Sequence, residues 1–502
     1  MNDIKKEKST YDYGIFIFRK DLRIIDNRGL IKLSQSCKKI IPVFIFDPYQ
    51  VDLTSETKNY LSFPALKFIC ESVKDLDKII KTKSKSKLNV FYGNPVKVLS
   101  HIIVELKLNS TNCCLGVNAD FTSYSIARDN KIKDFCKSNF IQITICEDDN
   151  TLCDMELLLK DENKLEPYKQ YGAFKKKMLG NKSKFNKVNT KQIQFADLKK
   201  TISKTLTHDE IDEFYFSHIK ANYTPLEIGS RKLALSILSN LKNFKDYNTK
   251  RDILSYSTTH LSAYLNFGLV SEREFYWTLI KRLGLSTQLI NQVIWREYYL
   301  CLLRYLDNAN SYSLHIDPRY EKIKWVKEIP NKTSKAWKEW DQMMCSKTGF
   351  LLVDAAIQEL IHTGFMHNRC RMIVGVFSVK YLGINPLCRY IGLNDWFSRH
   401  LVDCSTSQNK LNTQWITELD FPGKKFAPSS APIAGRPMNI SNSMIKKWDP
   451  DCVYIKKWLP HLASTDNKIL YGWDTKYNVS VHPKPIFDPK IRYAEWIKSC
   501  QI

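Results

Sequence analysis

The sequence lacks any apolar run close to the roughly 20 residues that a membrane-spanning helix requires. Its first ten residues, MNDIKKEKST, also lack the apolar core of a secretory signal peptide. Both absences argue against a membrane protein and against a secreted one. We therefore expect a soluble intracellular protein.

Paired cysteines are also missing. Of the 14 cysteines none lies in a CxxC pair, and only Cys113 and Cys114 are adjacent. This spacing offers neither a zinc or iron–sulfur ligand set nor a disulfide framework. Scattered and mostly buried thiols are the simpler interpretation, and we expect no metal site.

Acidic residues are few relative to basic ones: 52 Asp and Glu face 76 Lys and Arg, a formal net charge of +24. A surface this basic suits a polyanionic partner, because contacts to phosphates release condensed counterions. A lysine-rich genome composition would produce the same excess. Both explanations of the charge stay open at this point.

The first 150 residues alternate short β-rich runs with longer helical patterns, and no GxGxxG turn follows the first run. The candidate strands cover residues 14–18, 40–46, 88–92, 114–118 and 141–146. This alternation predicts a doubly wound parallel sheet, which is a Rossmann-like α/β domain. Without the glycine-rich turn, we expect no conventional nicotinamide site there.

Residues 151–222 show no regular pattern, and we interpret them as a linker between two domains. Ten lysines and one acid between residues 175 and 204 predict a solvated stretch, with a localisation signal or a DNA-contacting arm as alternatives. Helical periodicity dominates from residue 223 to residue 502, which predicts an all-α domain. A chain of 502 residues is long enough for two such cores.

Two segments of the helical part are the most informative: GFLLVDAAIQELIHTGFMHNRCRM at residues 349–372 and IWREYY at residues 294–299. FRKDLRIIDN at residues 18–27 and VNADFTSYSIARD at residues 117–129 are further signatures. These segments resemble the photolyase/cryptochrome family, with a pattern nearest to class I cyclobutane pyrimidine dimer photolyases. The resemblance implies an N-terminal α/β antenna domain, a linker and a C-terminal all-α domain that binds FAD.

Clustered hydroxyls precede a helical pattern in residues 246–271, and taken alone they are more typical of a helix N-cap. In the light of the resemblance, Thr258, Thr259 and Ser262 match a loop that holds the FAD pyrophosphate. The other positions that the resemblance implies for FAD are Tyr247, His260, Leu261, Arg296, Arg371, Asp403, Ser405 and Asn409.

Arg371 is expected to pair with Asp403 beside the flavin, because a buried arginine needs a carboxylate partner. An ordinary interhelical ion pair is the alternative for either residue alone. His260 stands where the family usually has arginine, and Ser405 stands where it has a second aspartate. Asn409 matches the residue that faces the flavin N5, and its neutral amide cannot supply a proton there.

Gln292, Trp295, Arg296 and Tyr299 fall at helical spacings that share one face. Asn368, Arg371 and Met372 do the same on a later helix. In an arbitrary protein Trp295 is more typical of a hydrophobic core. The resemblance implies that Trp295 and Trp415 clamp a flipped thymine dimer, that Gln292, Asn368 and Met372 position it, and that Arg251 contacts DNA.

The tryptophan triad that usually carries electrons to the flavin is incomplete. Only Trp325 aligns with a member of it, the outer one, while Pro386 and Thr413 occupy the inner positions. We therefore expect weak or rerouted photoreduction.

The leading hypothesis is a monomeric, FAD-dependent photolyase that splits cyclobutane pyrimidine dimers in UV-damaged DNA, in the nucleus or another DNA-containing compartment. Met372 favours this substrate, since photolyases for (6-4) photoproducts have a second histidine at that position. A cryptochrome-like photoreceptor and a flavin-free DNA-binding relic are the alternatives. The family also implies a second antenna chromophore of unknown identity, and Ser125 makes folate doubtful.

Overall fold

The computed structural model describes residues 11–52, 61–160, 168–216, 223–306, 309, 318–326, 333–388, 391–419 and 438–500. Within these residues an α/β half comes first and a helical half follows, as the sequence predicts. The five predicted strands are all present. Among the described residues, no helix combines the length and the apolarity needed to cross a bilayer.

The N-terminal half contains five strands, all parallel, in the order β3-β2-β1-β4-β5. The strands are β1 (Tyr11–Phe18), β2 (Cys37–Phe46), β3 (Asn89–Tyr92), β4 (Cys113–Asn118) and β5 (Gln142–Cys146). Its helices are α1 (Arg28–Ser36), α2 (Pro48–Val51), α3 (Phe63–Lys83), α4 (Pro95–Glu105), α5 (Ser123–Ser138) and α6 (Met155–Lys160). The central strands are apolar on both faces because helices cover both sides of the sheet.

The linker contributes α7 (Tyr171–Gly180) and α8 (His208–Phe216). The prediction that residues 175–204 form a solvated stretch fits the lysines but not the apolar side chains. Phe174, Met178, Phe185, Phe195 and Ile202 are buried between the exposed or half-exposed lysines. These apolar side chains tie the linker to the cores beneath it, while the lysines stay at the surface.

The helical half contains fourteen described α-helices. The first five are α9 (Arg231–Ser239), α10 (Tyr247–Lys250), α11 (Ser262–Asn266), α12 (Glu272–Leu283) and α13 (Gln288–Tyr305). Then come α14 (Lys335–Met344), α15 (Leu351–Thr363), α16 (Asn368–Val376), α17 (Leu393–His400) and α18 (Thr406–Thr417). The last four are α19 (Ile445–Trp448), α20 (Val453–Trp458), α21 (Asn467–Tyr471) and α22 (Pro489–Ser499).

Two buried arginine–aspartate pairs lie where the halves meet, and we call this region the seam. Arg273–Asp26 joins the halves directly, while Arg23 pairs within the N-terminal half and donates across to the Gly268 carbonyl at 3.1 Å. Arg23 contacts both carboxylate oxygens of Asp149 at 2.8 Å, and Arg273 Nε donates to Asp26 at 2.8 Å. All four side chains are at most 4% exposed. Arg23 and Asp26 belong to the signature at residues 18–27, so that signature is structural here. Gly268 also lies at the seam with φ +67°, and a Cβ there would approach the Lys20 carbonyl oxygen to 2.3 Å.

The 14 cysteines are all free thiols, and 13 are buried, as their spacing predicts. No group of potential metal-ligating side chains occurs among the described residues.

Candidate functional site

A cavity of about 550 Å³ opens in the helical half. Every residue that the sequence assigns to FAD or to the lesion lines it, whereas Trp325 does not. Residues from six helices and the loops between them contribute to this wall, which brings together segments far apart in the sequence. The shared cavity is an observation, while the individual roles of these residues stay predictions.

Helix α13 forms one wall of the cavity. It begins at the cap residue Thr287, whose hydroxyl accepts from the Leu289 amide, and it directs Gln292, Trp295, Arg296 and Tyr299 into the cavity. Arg296 is held in place by Glu272 through its Nε at 2.9 Å. The helix-face prediction for these four residues therefore agrees with the structure.

The opposite wall comes from α16, which follows a sharp break in the chain. Gly364 ends α15 in the left-handed region at φ +72°, where a Cβ would come within 2.6 Å of Pro64. This turn leads the chain through Phe365 and His367 along the cavity. Asn368, Arg371 and Met372 then line it from the first turns of α16.

Arg371 forms the predicted ion pair with Asp403. Its Nη2 lies 3.0 and 2.9 Å from the two carboxylate oxygens, and its Nε donates to the Met366 carbonyl at 2.9 Å. Asp403 is 6% exposed, so water screens the pair weakly. The cavity wall thus contains a fixed guanidinium and a fixed carboxylate side by side.

The hydroxyls of Thr258, Thr259 and Ser262 line the cavity next to His260. The imidazole of His260 lies 2.9 Å from Glu227 and packs against the Phe365 ring at a centroid distance of 4.3 Å. Glu227 is 3% exposed, and burial raises its pKa despite the neighbouring imidazole. Sequence reasoning missed Glu227 because no local pattern links it to His260.

His367 also lines the cavity, at the position that the resemblance gives to the first histidine of the pair in (6-4) photolyases. Its Nδ1 accepts from the Arg369 amide at 3.1 Å, and its Nε2 is buried without a partner. Burial and then Arg369 lower the pKa of this imidazole to about 4, so it is neutral near pH 7. Because Nδ1 is an acceptor, Nε2 must bear the proton, and it offers a donor to a ligand.

Two indole rings adjoin the cavity. Trp295 and Trp415 have centroids 4.6 Å apart at an interplanar angle of 55°. Trp415 is 38% exposed, so the pair lies where the cavity meets solvent. The family resemblance implies that these rings are neighbours, and the structure places them in contact.

Trp325 lies elsewhere. It is 8% exposed in the C-terminal core, its indole N–H donates to the Tyr320 carbonyl at 2.7 Å, and its ring is 5.2 Å from that of Trp496. Thr413, at one of the inner triad positions, is buried on α18. The structure therefore does not bring Trp325 to the cavity, and its role in electron transfer stays a prediction.

The cavity suits a dinucleotide such as FAD. Its volume falls in the range of about 300–1,000 Å³ that ligand sites usually have. Hydroxyls at Thr258, Thr259 and Ser262 can receive phosphate oxygens, the ion pair offers one donor and one acceptor group, and His367 Nε2 is an unsatisfied donor. These features call for a polar, anionic ligand.

A second cleft lies at the seam, lined by Arg19, Asp21, Asp47, Arg128 and Asp149 among others. Its volume is about 90 Å³, room for only a few water molecules. Ser125 is buried and bonded to Thr122. This cleft is much smaller than the cavity of the helical half.

Comparisons with known proteins agree with this geometry. Residues 15–192 match the family model described as DNA photolyase, and residues 289–501 match the one described as the FAD binding domain of DNA photolyase. A (6-4)DNA photolyase of Arabidopsis thaliana is 28% identical over 93% of this chain and 84% of its own length. A deoxyribodipyrimidine photo-lyase of Buchnera aphidicola is 27% identical over 95% of this chain and 94% of its own.

Solved structures give the same result. An archaeal photolyase from Sulfolobus tokodaii, described with two FAD molecules, superimposes with a TM-score of 0.78 at 27% identity, covering 97% of this chain and 99% of its own. A cryptochrome from Synechocystis sp. shares the fold with a TM-score of 0.80 at 19% identity, over 98% of this chain and 100% of its own.

Proposed function

This chain belongs to the photolyase/cryptochrome family, and from that premise we propose that it is a photolyase for cyclobutane pyrimidine dimers. The observation that carries the proposal is the neighbouring pair Trp295 and Trp415 on a cavity that also contains the Arg371–Asp403 pair. The indole pair can stack against an unstacked base, and the ion pair can contact a flavin. Both border the same cavity.

FAD, in its reduced and light-excited form, would supply the electron that splits the two cyclobutane bonds and would take that electron back from the separated pyrimidines, so that repair is redox-neutral overall. The chain's own residues would hold the two reactants together. Thr258, Thr259 and Ser262 receive the pyrophosphate, while Arg371 and Asp403 offer their charges to the flavin ring. The hydroxyls donate to phosphate oxygens, and the guanidinium adds a charge-assisted bond.

The lesion would enter beside the indoles. A dimer pairs and stacks poorly in the duplex, so its extrusion costs less than that of normal bases. Trp295 and Trp415 provide aromatic faces, and the exposed side chains of Gln292 and Asn368 provide amides for the base edges. Arg251, which also lines the cavity, would contact the phosphate backbone.

Met372 and His367 support a cyclobutane dimer over a (6-4) photoproduct as the substrate. Met372 lies on the cavity wall where the latter enzymes have their second histidine, and it offers no proton. His367, with a pKa of about 4, stays neutral at working pH. Acid catalysis by a histidine pair is therefore not available in this cavity.

A cryptochrome-like photoreceptor is the second candidate. Ser405 lines the cavity where the family has an aspartate, and Thr413 is not an aromatic relay residue. Asn409 opposes this candidate, because its 7% exposed amide cannot donate a proton to the flavin as an acid would. We propose repair, by a monomer acting on UV-damaged DNA in a DNA-containing compartment.

The test is an anaerobic repair assay with reduced protein. One oligonucleotide contains a thymine cyclobutane dimer and a second contains a (6-4) photoproduct, each incubated under blue light and in the dark. We expect light-dependent restoration of thymines from the first oligonucleotide only. Repair of the second alone would establish a (6-4) enzyme instead. Repair of neither, with flavin bound, would favour the photoreceptor.

A further inference from the structure

The aromatic wall at the cavity includes a ring from the linker. Tyr171, the first residue of α7, stacks on the Trp295 indole with a centroid distance of 3.6 Å and an interplanar angle of 6°. Trp295 lines the cavity and Tyr171 does not. The tyrosine therefore covers the indole face that is turned away from the cavity.

Two hydrogen bonds in opposite directions fix α7 against α13. The Tyr171 hydroxyl donates to the Asn291 carbonyl at 3.2 Å, and the Tyr298 hydroxyl donates to the Lys169 carbonyl at 2.8 Å. Phe174 is fully buried 5.3 Å from the Tyr298 ring. Tyr171 is thus anchored by more than its stacking contact.

The two indoles at the cavity differ in exposure and in the rings around them. Trp295 has Tyr171 on one face, and the rings of Tyr298 and Tyr299 lie 5.7 and 5.6 Å from it. Trp415 is 38% exposed and lies near the end of α18. Trp295 is the braced ring of the pair, and Trp415 is the more accessible one.

The two rings form a corner and not a parallel slot. Their centroids are 4.6 Å apart and their planes are tilted by 55°. A base can therefore stack on the side of Trp295 that faces the cavity without entering between the two indoles. Displacing Trp295 would break its stack with Tyr171.

We propose that Tyr171 is a positioning residue for the lesion. It keeps the Trp295 indole fixed as a preformed stacking surface for an entering base. This inference rests on the proposed function, because it concerns how the same cavity takes a dimer. It assigns to the linker a part in lesion recognition.

The experiment compares Tyr171→Leu, Tyr171→Phe and wild-type holoprotein. Dissociation constants for a dimer-containing oligonucleotide are measured in the dark, with 2-aminopurine opposite the lesion as a fluorescent reporter of extrusion. Repair per absorbed photon is measured at saturating DNA. Tyr92→Leu, at a 49% exposed tyrosine in the α/β half, is the matched control.

For Tyr171→Leu we expect a rise of about threefold to tenfold in the dissociation constant, the range to which aromatic stacking energies correspond. The 2-aminopurine signal should fall in parallel, while repair at saturation stays unchanged. Tyr171→Phe keeps the ring and should behave like wild type. A merely structural role would not produce this split between binding and repair with rescue by phenylalanine.

Unchanged or tighter binding by Tyr171→Leu would overturn the inference, as would equal losses in the Leu and Phe variants. Flavin content and melting temperature verify folding. Tyr171→Met, which fills similar space without a ring, replaces the Leu variant if that one unfolds. Absence of dimer binding by wild type would refute the proposed function and this inference with it. Repair by wild type with a silent Tyr171→Leu would refute only the inference.

Discussion

The seam and the cavity both contain buried arginine–aspartate pairs, yet they differ in what surrounds those pairs. At the seam, Arg23 and Arg273 donate to Asp149 and Asp26 and to several carbonyls, around a cleft of about 90 Å³. In the other region, the Arg371–Asp403 pair borders about 550 Å³, and His367 Nε2 has no partner.

A buried ion pair is therefore a poor indicator of function by itself. Its desolvation cost is offset by contacts inside the chain at the seam, which holds two domains together. In the cavity, the Arg371–Asp403 pair lies beside open volume and an unsatisfied donor. A bound ligand can supply the missing hydrogen-bond partner there. Open volume together with unmet hydrogen-bonding capacity distinguishes the site from the seam.

Arg273→Ala tests the seam side of this contrast and should have the largest effect. It leaves Asp26 buried without its partner, which we expect to lower the free energy of unfolding by about 3–5 kcal/mol. Thermal and denaturant unfolding measure the loss. Arg282→Ala, an exposed arginine on the same helix, is the control and should be nearly silent. Wild-type stability of Arg273→Ala together with loss of bound FAD would contradict this contrast between the seam and the cavity.

Asp403→Asn tests the cavity side. It removes the charge that compensates Arg371, and FAD retention should weaken by about 2–5 kcal/mol, at least thirtyfold in the dissociation constant. Flavin-to-protein ratios after gel filtration and FAD titration of apoprotein measure this effect. Asp395→Asn, at a carboxylate paired with Arg399 on α17, is the matched control. Full flavin retention by Asp403→Asn would contradict the assignment of the cavity.

Trp415→Leu distinguishes lesion binding from flavin binding in the cavity. The loss of one stacking surface should weaken dimer binding by about 1–3 kcal/mol, while bound FAD stays at the wild-type level. Binding in the dark and flavin absorbance measure the two quantities. Trp337→Leu, a half-exposed tryptophan on α14, serves as the control. Equal dimer affinity in both variants would speak against the clamp.

The smallest effect on stability is expected for Glu297→Gln, which tests a buried carboxyl group that bonds to the Leu152 amide near the seam. Glu297 is fully buried, one of its oxygens accepts from the Leu152 amide, and burial followed by Glu272 raises its pKa to about 8. An unfolded glutamate titrates near pH 4.3, so between these values the folded chain holds more protons. The stability that protonated Glu297 contributes to the folded state is therefore complete below about pH 4, and it is lost as the pH rises through 8.

The Gln variant has no such proton, so its free energy of unfolding should fall less than that of wild type between pH 6 and pH 9. The two free-energy changes should differ by about 1–2 kcal/mol, which thermal and denaturant unfolding at each pH would measure. Glu213→Gln on the exposed surface of α8 provides the reference. Parallel pH profiles for wild type and Glu297→Gln would refute the raised pKa.

Local patterns in the sequence predicted the sheet and the helix faces, and the family resemblance predicted the rest of the cavity wall. Short β-branched runs gave all five strands, and the spacing of Trp295 and Arg296 or of Asn368 and Arg371 gave the helix faces. The contacts of Glu227 with His260 and of Tyr171 with Trp295 join distant segments, and no periodicity announces them. The buried anchors of the linker were hidden among its lysines, as at Phe174 and Met178.

Titration of apoprotein with FAD tests the contrast between cavity and seam most directly. The account predicts one FAD per chain, with binding that Asp403→Asn weakens and Asp395→Asn leaves intact. No binding would contradict the assignment of the cavity. A second equivalent that is indifferent to Asp403→Asn would show that the seam cleft also takes a flavin, contrary to the difference drawn between the two regions.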